Sequence, residues 1–217
     1  MNVMQAQWWI QGGITHGFIY DVRHNGKEGE VASVGGEVIL DDIYQLSSYP
    51  KGCRWVDAGC HAGVFSIAAI QAGHTVASAI DVDLDWCFAY SYTINTFMSQ
   101  MAARGMAAYS QEIDPKNEML FSAEQIISIA LEDVKGIQHD SNALKLDIQG
   151  AESSILSAHG CKLLADYFKY MVFEWHHIDD QSYADTLENN GWSIASVSKH
   201  TDTLMGIDTQ IVSAERR

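Results

Sequence analysis

Four acidic residues stand at or beside the ends of strand-like apolar runs: Asp57 in RWVDAG, Asp81 after HTVASAI, Asp147 in NALKLDI and Glu174 in YMVFEW. In an open parallel sheet, ligands sit beyond the carboxyl ends of the strands, so these acids would face one crease. Between the first two runs lies the loop GCHAG, with Gly59 and Gly63 at its borders and His61 inside. Glycine permits a tight turn and a close approach to a ligand, and the helix that follows offers free N–H groups. A carboxylate at Asp81 suits paired ribose hydroxyls, which donate to it. Together these features point to a nucleoside-bearing ligand. The loop is not Gly-x-Gly-x-x-Gly, because His61 occupies the place of the second glycine, and no Gly-Lys-Ser/Thr follows it. A ligand without a pyrophosphate is therefore expected, and a nicotinamide-dependent oxidoreductase is disfavoured.

Further chemistry gathers late in the chain. Glu174 and His176 share one side of a strand end by the two-residue period. A carboxylate beside an imidazole is a serviceable acid–base pair, since imidazole titrates near neutrality. His177 and Asp179 follow closely. A divalent cation is conceivable there, but such groups are common on surfaces and no metal ligand is assigned. Glu152 lies five residues after Asp147, near the start of a helix, where it either joins the site or caps free N–H groups.

The elements that would position these residues alternate strand and helix. Strand-like Arg54 to Gly59 leads into an apolar helix, Gly63 to Gly73, with Gly73 as its C-terminal stop, and then a strand, His74 to Ile80. This is the parallel α/β pattern. Leu84 to Met98 reads as a helix with a thick aromatic stripe, and Ser99 to His139 carries no confident strand. A strand over Asn142 to Ile148 follows, then a helix over Ala151 to Tyr167 interrupted near Gly160, and a strand over Tyr170 to Trp175. A helix over Ser182 to Gly191 precedes two terminal strands, Trp192 to Ser198 and Gly206 to Ala214. Residues 1–50 read as short strands and turns, including His16 to Val22 and Glu37 to Tyr44. They form a cap or edge segment on a main domain of residues 51–217.

The 217 residues carry 28 Asp and Glu against 13 Lys and Arg, a formal charge of -15. That balance disfavours nucleic acid and acidic membranes as partners. No run of 18 apolar residues and no basic region followed by an apolar core is seen, so neither a membrane span nor a signal peptide is expected. Cys53, Cys60, Cys87 and Cys161 form no zinc-type pair and read as reduced core thiols, which suits the cytoplasm. Trp8 and Trp9 could cover the pocket or a subunit interface, so a homo-oligomer is one expectation.

Three blocks carry a resemblance to the class I S-adenosylmethionine-dependent methyltransferases, and more narrowly to the FkbM type: WVDAGCHAGVFSIAA, ASAIDVDLDWCFAYSYTIN and ALKLDIQGAESSIL. The third resembles the family's Lys-x-Asp-x-Glu-Gly-Ala-Glu block and is the most specific. YMVFEWH and LENNGWSIASV are similar to its late strand and Gly-aromatic turn. The resemblance runs from about Glu37 to Ser213 and is poor between Ser99 and Asn142. It implies a Rossmann-like sheet of seven strands with the last antiparallel, S-adenosylmethionine as cofactor, and methylation of a hydroxyl on a small molecule or glycan. It implies cofactor contacts at Asp57, Gly59, His61, Gly63, Asp81 and Asp147, and catalytic roles among Asp147, Glu152, Glu174 and His176. Asp147 is left as proton acceptor, partner of the cofactor amine, or metal ligand. The family's second acid in the third block is here Gln149, which leaves a non-catalytic cofactor- or nucleoside-binding module as the alternative.

Overall fold

The computed structural model describes residues 4–11, 14–21, 34–81, 110–112, 126–127, 142–176, 182–202 and 206–217, with backbone alone for 4–11, 14–21, 40, 110–112 and 202. Nine strands are present among them. β1 (Met4–Gln11) and β2 (Ile14–Asp21) form an antiparallel hairpin of their own. The others build one seven-stranded sheet: β3 (Arg54–Ala58), β4 (Thr75–Asp81), β5 (Ser110–Glu112), β6 (Asn142–Leu146), β7 (Tyr170–Trp175), β8 (Trp192–Asp202) and β9 (Ile207–Arg216). Their order across the sheet is β5-β4-β3-β6-β7-β9-β8. All pairings from β5 to β7 are parallel, and β9 runs antiparallel between β7 and β8. The expected seven strands with the last antiparallel are thus observed.

The parallel strands read as nearly unbroken apolar runs because both faces are covered. Every residue of β6 is buried, as is every residue but the first in β3, β4 and β7. Alternation divides each strand between two cores. Trp55, Val76, Ala143 and Val172 face helix α1 (Val64–Gln71), while Val56, Ala58, Leu144, Leu146 and Phe173 face the other layer. That second layer contains α2 (Glu152–Ile155), α3 (Ala158–Ala165) and α4 (Ser182–Asn189), which contribute Ile155, Leu164 and Leu187 to its core. α1 is apolar all round and buried from Val64 through Ile70, as befits a central helix.

Two local expectations are corrected. Glu37 to Tyr44 is no strand: Gly36–Leu40 forms a wide helical turn, and Leu46–Ser48 a tighter one. Successive Val38 and Ile39 are both buried and join Tyr44, Leu46 and Tyr49 in the core around Trp55 and α1. A strand would send those two successive side chains to opposite faces. The interruption in Ala151 to Tyr167 falls at Leu156 and Ser157, not Gly160. Ser157 is the N-cap of α3 and its hydroxyl accepts from the Gly160 N–H at 3.2 Å, so Gly160 lies buried inside the first turn. Cys53, Cys60 and Cys161 are buried thiols outside any disulfide, in line with the core reading; Cys87 lies outside the described residues. So do the aromatic stripe of Leu84 to Met98, His177 and Asp179, and the side chains of Trp8 and Trp9. Among the described residues, no helix is long and apolar enough to cross a membrane.

Candidate active site

The strand order reverses between β3 and β6. From β3 the chain moves outward through β4 to β5, then returns to the other side of β3 as β6 and continues to β7. Loops leaving β3 and β6 therefore diverge and open a crease at their carboxyl ends. All four acids singled out from the sequence lie along this end of the sheet.

The β3–α1 loop is fixed from both neighbouring strands. The N–H groups of Gly59 and Cys60 donate to the Ile80 carbonyl at 2.8 and 3.0 Å, and the Asp147 N–H donates to the Ala58 carbonyl at 3.1 Å. Gly59, His61 and Gly63 hold φ of +78°, +48° and +88°. The His61 N–H donates to Asp81 Oδ2 at 2.9 Å, so Asp81 secures the loop directly. α1 then begins at Gly63 with no side-chain cap and no acid in its first turn. Its leading N–H groups are the ones a helix leaves without internal partners.

Under the loop lies a buried ion network. Asp57 is wholly buried; its Oδ2 accepts from Ser66 Oγ at 2.7 Å, and its Oδ1 lies 3.3 Å from Lys145 Nζ. The same ammonium donates to the Gly59 carbonyl at 2.7 Å and stands 3.5 Å from Asp147 Oδ2. Burial raises the Asp57 carboxyl above its ordinary range, against the pull of Lys145 and the Ser66 hydroxyl. Burial also works against the Lys145 charge, but Asp147 and Asp57 outweigh it and hold the ammonium protonated. Asp57 is linked to the glycine loop through Lys145, which also donates to the Gly59 carbonyl. Direct contact between Asp57 and a ligand has no surface to occur on.

A second group of acids gathers beside Asp147, whose side chain keeps 21 % of its surface exposed. Tyr44 Oη donates to Asp147 Oδ2 at 3.0 Å. Burial opposes the Asp147 charge, yet Lys145, His176, the Tyr44 hydrogen bond and His61 bring its carboxyl below the usual range. His176 sits with Nε2 4.0 Å from Glu174 Oε1 and Nδ1 3.3 Å from Glu152 Oε1. Burial pulls the imidazole down, but Glu152, Glu174 and Asp147 prevail and push it up to about 9. With only the protein's own charges present, the ring therefore carries a proton at neutral pH. Glu174 accepts from buried Thr209 Oγ1 at 2.7 Å. Glu152 is wholly buried at the first position of α2 and accepts the Ile148 N–H at 2.8 Å. It caps a backbone donor and stands at ion-pair distance from the His176 ring.

Asp147, Glu152, Glu174 and His176 are thus brought together, while Asp81, His61 and Gly63 form a neighbouring loop site. Tyr44, Lys145 and Thr209 complete the constellation without having been singled out. For Lys145 a signal existed: a lysine inside a strand buried on both faces requires a buried partner. Gln149 does not belong to the cluster. It is exposed in the turn after β6, with φ of +57°.

No family model matches the chain, and no curated protein matches it. Solved structures match over most of its length. Magnesium protoporphyrin IX methyltransferase from Synechocystis, crystallised with bound S-adenosylmethionine, is 18 % identical with a TM-score of 0.50; the match covers 88 % of this chain and 80 % of that one. Thermoplasma acidophilum protein 1320 is 12 % identical, TM-score 0.50, with 86 % of each chain covered. The 16S rRNA N2 G1207 methyltransferase of T. thermophilus, in complex with AdoMet and guanosine, is 9 % identical with a TM-score of 0.51; all of this chain and 52 % of that one are covered. At these identities the likeness establishes the fold, which is the Rossmann-like fold of the class I S-adenosylmethionine-dependent methyltransferases.

Proposed function

We propose that this chain is an S-adenosylmethionine-dependent methyltransferase of the FkbM type that methylates a hydroxyl on a small molecule or glycan. The observation that carries the reading is the convergence of Asp147, Glu174 and His176 at the carboxyl ends of β6 and β7, beside a loop tied to Asp81. The donor set fits the cofactor. The uncapped N-terminus of α1 presents N–H groups for its carboxylate, and Asp81 accepts from its ribose hydroxyls. His61 and Gly63 shape the loop around this ligand, and Asp57 holds the loop from below through Lys145 and the Gly59 carbonyl. Bound there, S-adenosylmethionine supplies a methyl group already activated on a sulfonium sulfur.

What remains for the protein is to align the acceptor and manage its proton. We assign that task to Asp147, the most exposed member of the cluster, rather than contact with the cofactor amine. Lys145 and Tyr44 hold its carboxylate in place and ionised. Glu174 and His176 form the far wall of the acceptor pocket, and Glu152 fixes the ring. The alternative, a binding-only module, rests on Gln149 and on the poorly matching stretch between Ser99 and Asn142; the exposure of Gln149 in the turn after β6 supports the catalytic reading over it. Two of the similar structures are a magnesium protoporphyrin IX methyltransferase and a 16S rRNA methyltransferase. A net charge of -15 makes a polyanionic acceptor the poorer choice here.

Calorimetry with S-adenosylhomocysteine is the test, with NAD as comparison. One-site binding of the homocysteine nucleoside alone is expected, weakened about tenfold or more in Asp81→Asn. Asp147→Asn should keep that binding and lose turnover by about 100-fold or more on any acceptor found by screening. Failure of the folded protein to bind would overturn the reading.

A further inference from the structure

We propose that Asp147, Glu174 and His176 form a binding site for a divalent cation of the Mn2+ type, placed on the acceptor side of the crease. One oxygen from each acid and one ring nitrogen lie within 4.8 Å of one another. Ligands of a first-row divalent cation stand roughly 3–4 Å apart, so slight closure brings the three into coordination. Two carboxylates and one imidazole suit a cation between the purely oxygen-bound and the nitrogen- or sulfur-bound classes. Remaining positions would be open to water or to the acceptor oxygen.

Two observations separate this cluster from an ordinary patch of acids. The first is unpartnered buried atoms aimed into it. The His176 side chain is only 5 % exposed and its Nε2 has no hydrogen-bond partner; Asp147 Oδ1 is likewise buried without one. Such atoms are costly to bury and in native proteins signal a missing partner. The second is the outer layer. Each candidate ligand has a group behind it: Asp147 accepts from the Tyr44 hydroxyl at 3.0 Å and Glu174 from the Thr209 hydroxyl at 2.7 Å, while Glu152 Oε1 stands at ion-pair distance, 3.3 Å, from His176 Nδ1 without a hydrogen bond. A carboxylate behind the second nitrogen of a histidine is the usual way a metal-ligating imidazole is oriented. Charge points the same way. Asp57, Asp147, Glu152 and Glu174 crowd this end of the sheet, and Lys145 is the lysine among them, already committed to Asp57 and the Gly59 carbonyl.

This deepens the methyltransferase reading and rests on the same crease, so the test reads metal and cofactor separately. Chelator-treated full-length protein is titrated with Mn2+, and the loss of the free-ion electron paramagnetic signal is followed. One Mn2+ per chain is expected, weakened at least about tenfold in Asp147→Asn, Glu174→Gln and His176→Gln, and also in Glu152→Gln, which acts only through the ring. Glu188→Gln, at an exposed acid on α4, should bind as the parent does and controls for attraction to an acidic surface. Circular dichroism selects the variants that fold; Asp147→Asn, nearly isosteric and at 21 % the most exposed of the four, decides if the others do not. Absence of saturable binding, or equal binding by the parent and Asp147→Asn, overturns the site. S-adenosylhomocysteine calorimetry on the same samples keeps the two readings apart: nucleoside binding without Mn2+ binding removes the cation alone, and Mn2+ binding without nucleoside binding removes the methyltransferase reading alone.

Discussion

Replacing Lys145 with methionine should cost about 3–5 kcal/mol of folding stability, the range for breaking a buried ion pair from one side. Methionine has nearly the right length and leaves no large cavity, so the loss is electrostatic. Asp57 would keep the Ser66 hydroxyl but lose the ammonium beside it, with no solvent to replace it. Asp147 would lose a cation 3.5 Å away, and the Gly59 carbonyl its donor. The Nζ also lies 6.0 and 5.8 Å from the ring centres of Tyr44 and Phe65, and that attraction goes too. Urea unfolding followed by circular dichroism measures the cost. The effect should depend on pH in one direction. The Asp57 carboxyl is already raised by burial in the parent, and removing Lys145 raises it further. A carboxyl with a folded pKa above its unfolded value favours the folded state at low pH and loses that advantage as pH rises through the folded value. The penalty of Lys145→Met should therefore grow from acid toward neutral pH. Adding Asp57→Asn should recover part of it, since the uncompensated charge goes with it. A single-variant cost below about 1 kcal/mol would mean that the lysine is solvated and the network does not exist.

The network shows where sequence reasoning reached and where it stopped. Parallel strands were legible because burial on both faces leaves uninterrupted apolar runs, and the acids that close them mark the carboxyl ends. The pairing of Glu174 with His176 followed from the two-residue period and is observed. The direction of Asp57 was also implicit: it shares a face with Trp55, which points into the α1 core. Tyr44 could not be found in this way, since its partner Asp147 is 103 residues distant and the intervening turns obey no period. Thr209 was hidden for a topological reason. β8 and β9 read as a hairpin, but nothing local says that β9 inserts between β7 and β8 and so sets Thr209 against Glu174. The helical turn at Gly36–Leu40 was missed because apolar spacing in so short a segment suits strand or helix equally.

Gly59→Ala should be the most damaging single-methyl change in the chain's glycine loop, exceeding about 4 kcal/mol and leaving little folded protein. A Cβ at this position would stand 1.7 Å from the Asp147 carbonyl oxygen and 2.7 Å from its carbon, both backbone atoms. Relief would require β3 and β6 to part. That is resisted by the Gly59 N–H bond to Ile80, the Asp147 N–H bond to Ala58 and the Lys145 bond to the Gly59 carbonyl. The φ of +78° adds strain of about 1–2 kcal/mol for any residue with a side chain. Gly52 separates the two causes. Its φ is +84°, but nothing lies within 4 Å of its would-be Cβ, so Gly52→Ala should show the backbone strain alone, about 1–2 kcal/mol. Thermal unfolding of the two variants side by side decides the matter, and equal shifts would sink the claim of a backbone clash. The comparison also bears on how the loop is read. Sequence reasoning placed glycine here for a ligand's approach, whereas the space a side chain would need is taken by the backbone of Asp147. Close contact between the two central strands at the switch point is what seats that acid at the mouth of the crease, and the loop from His61 to Gly63 is hung from the same joint.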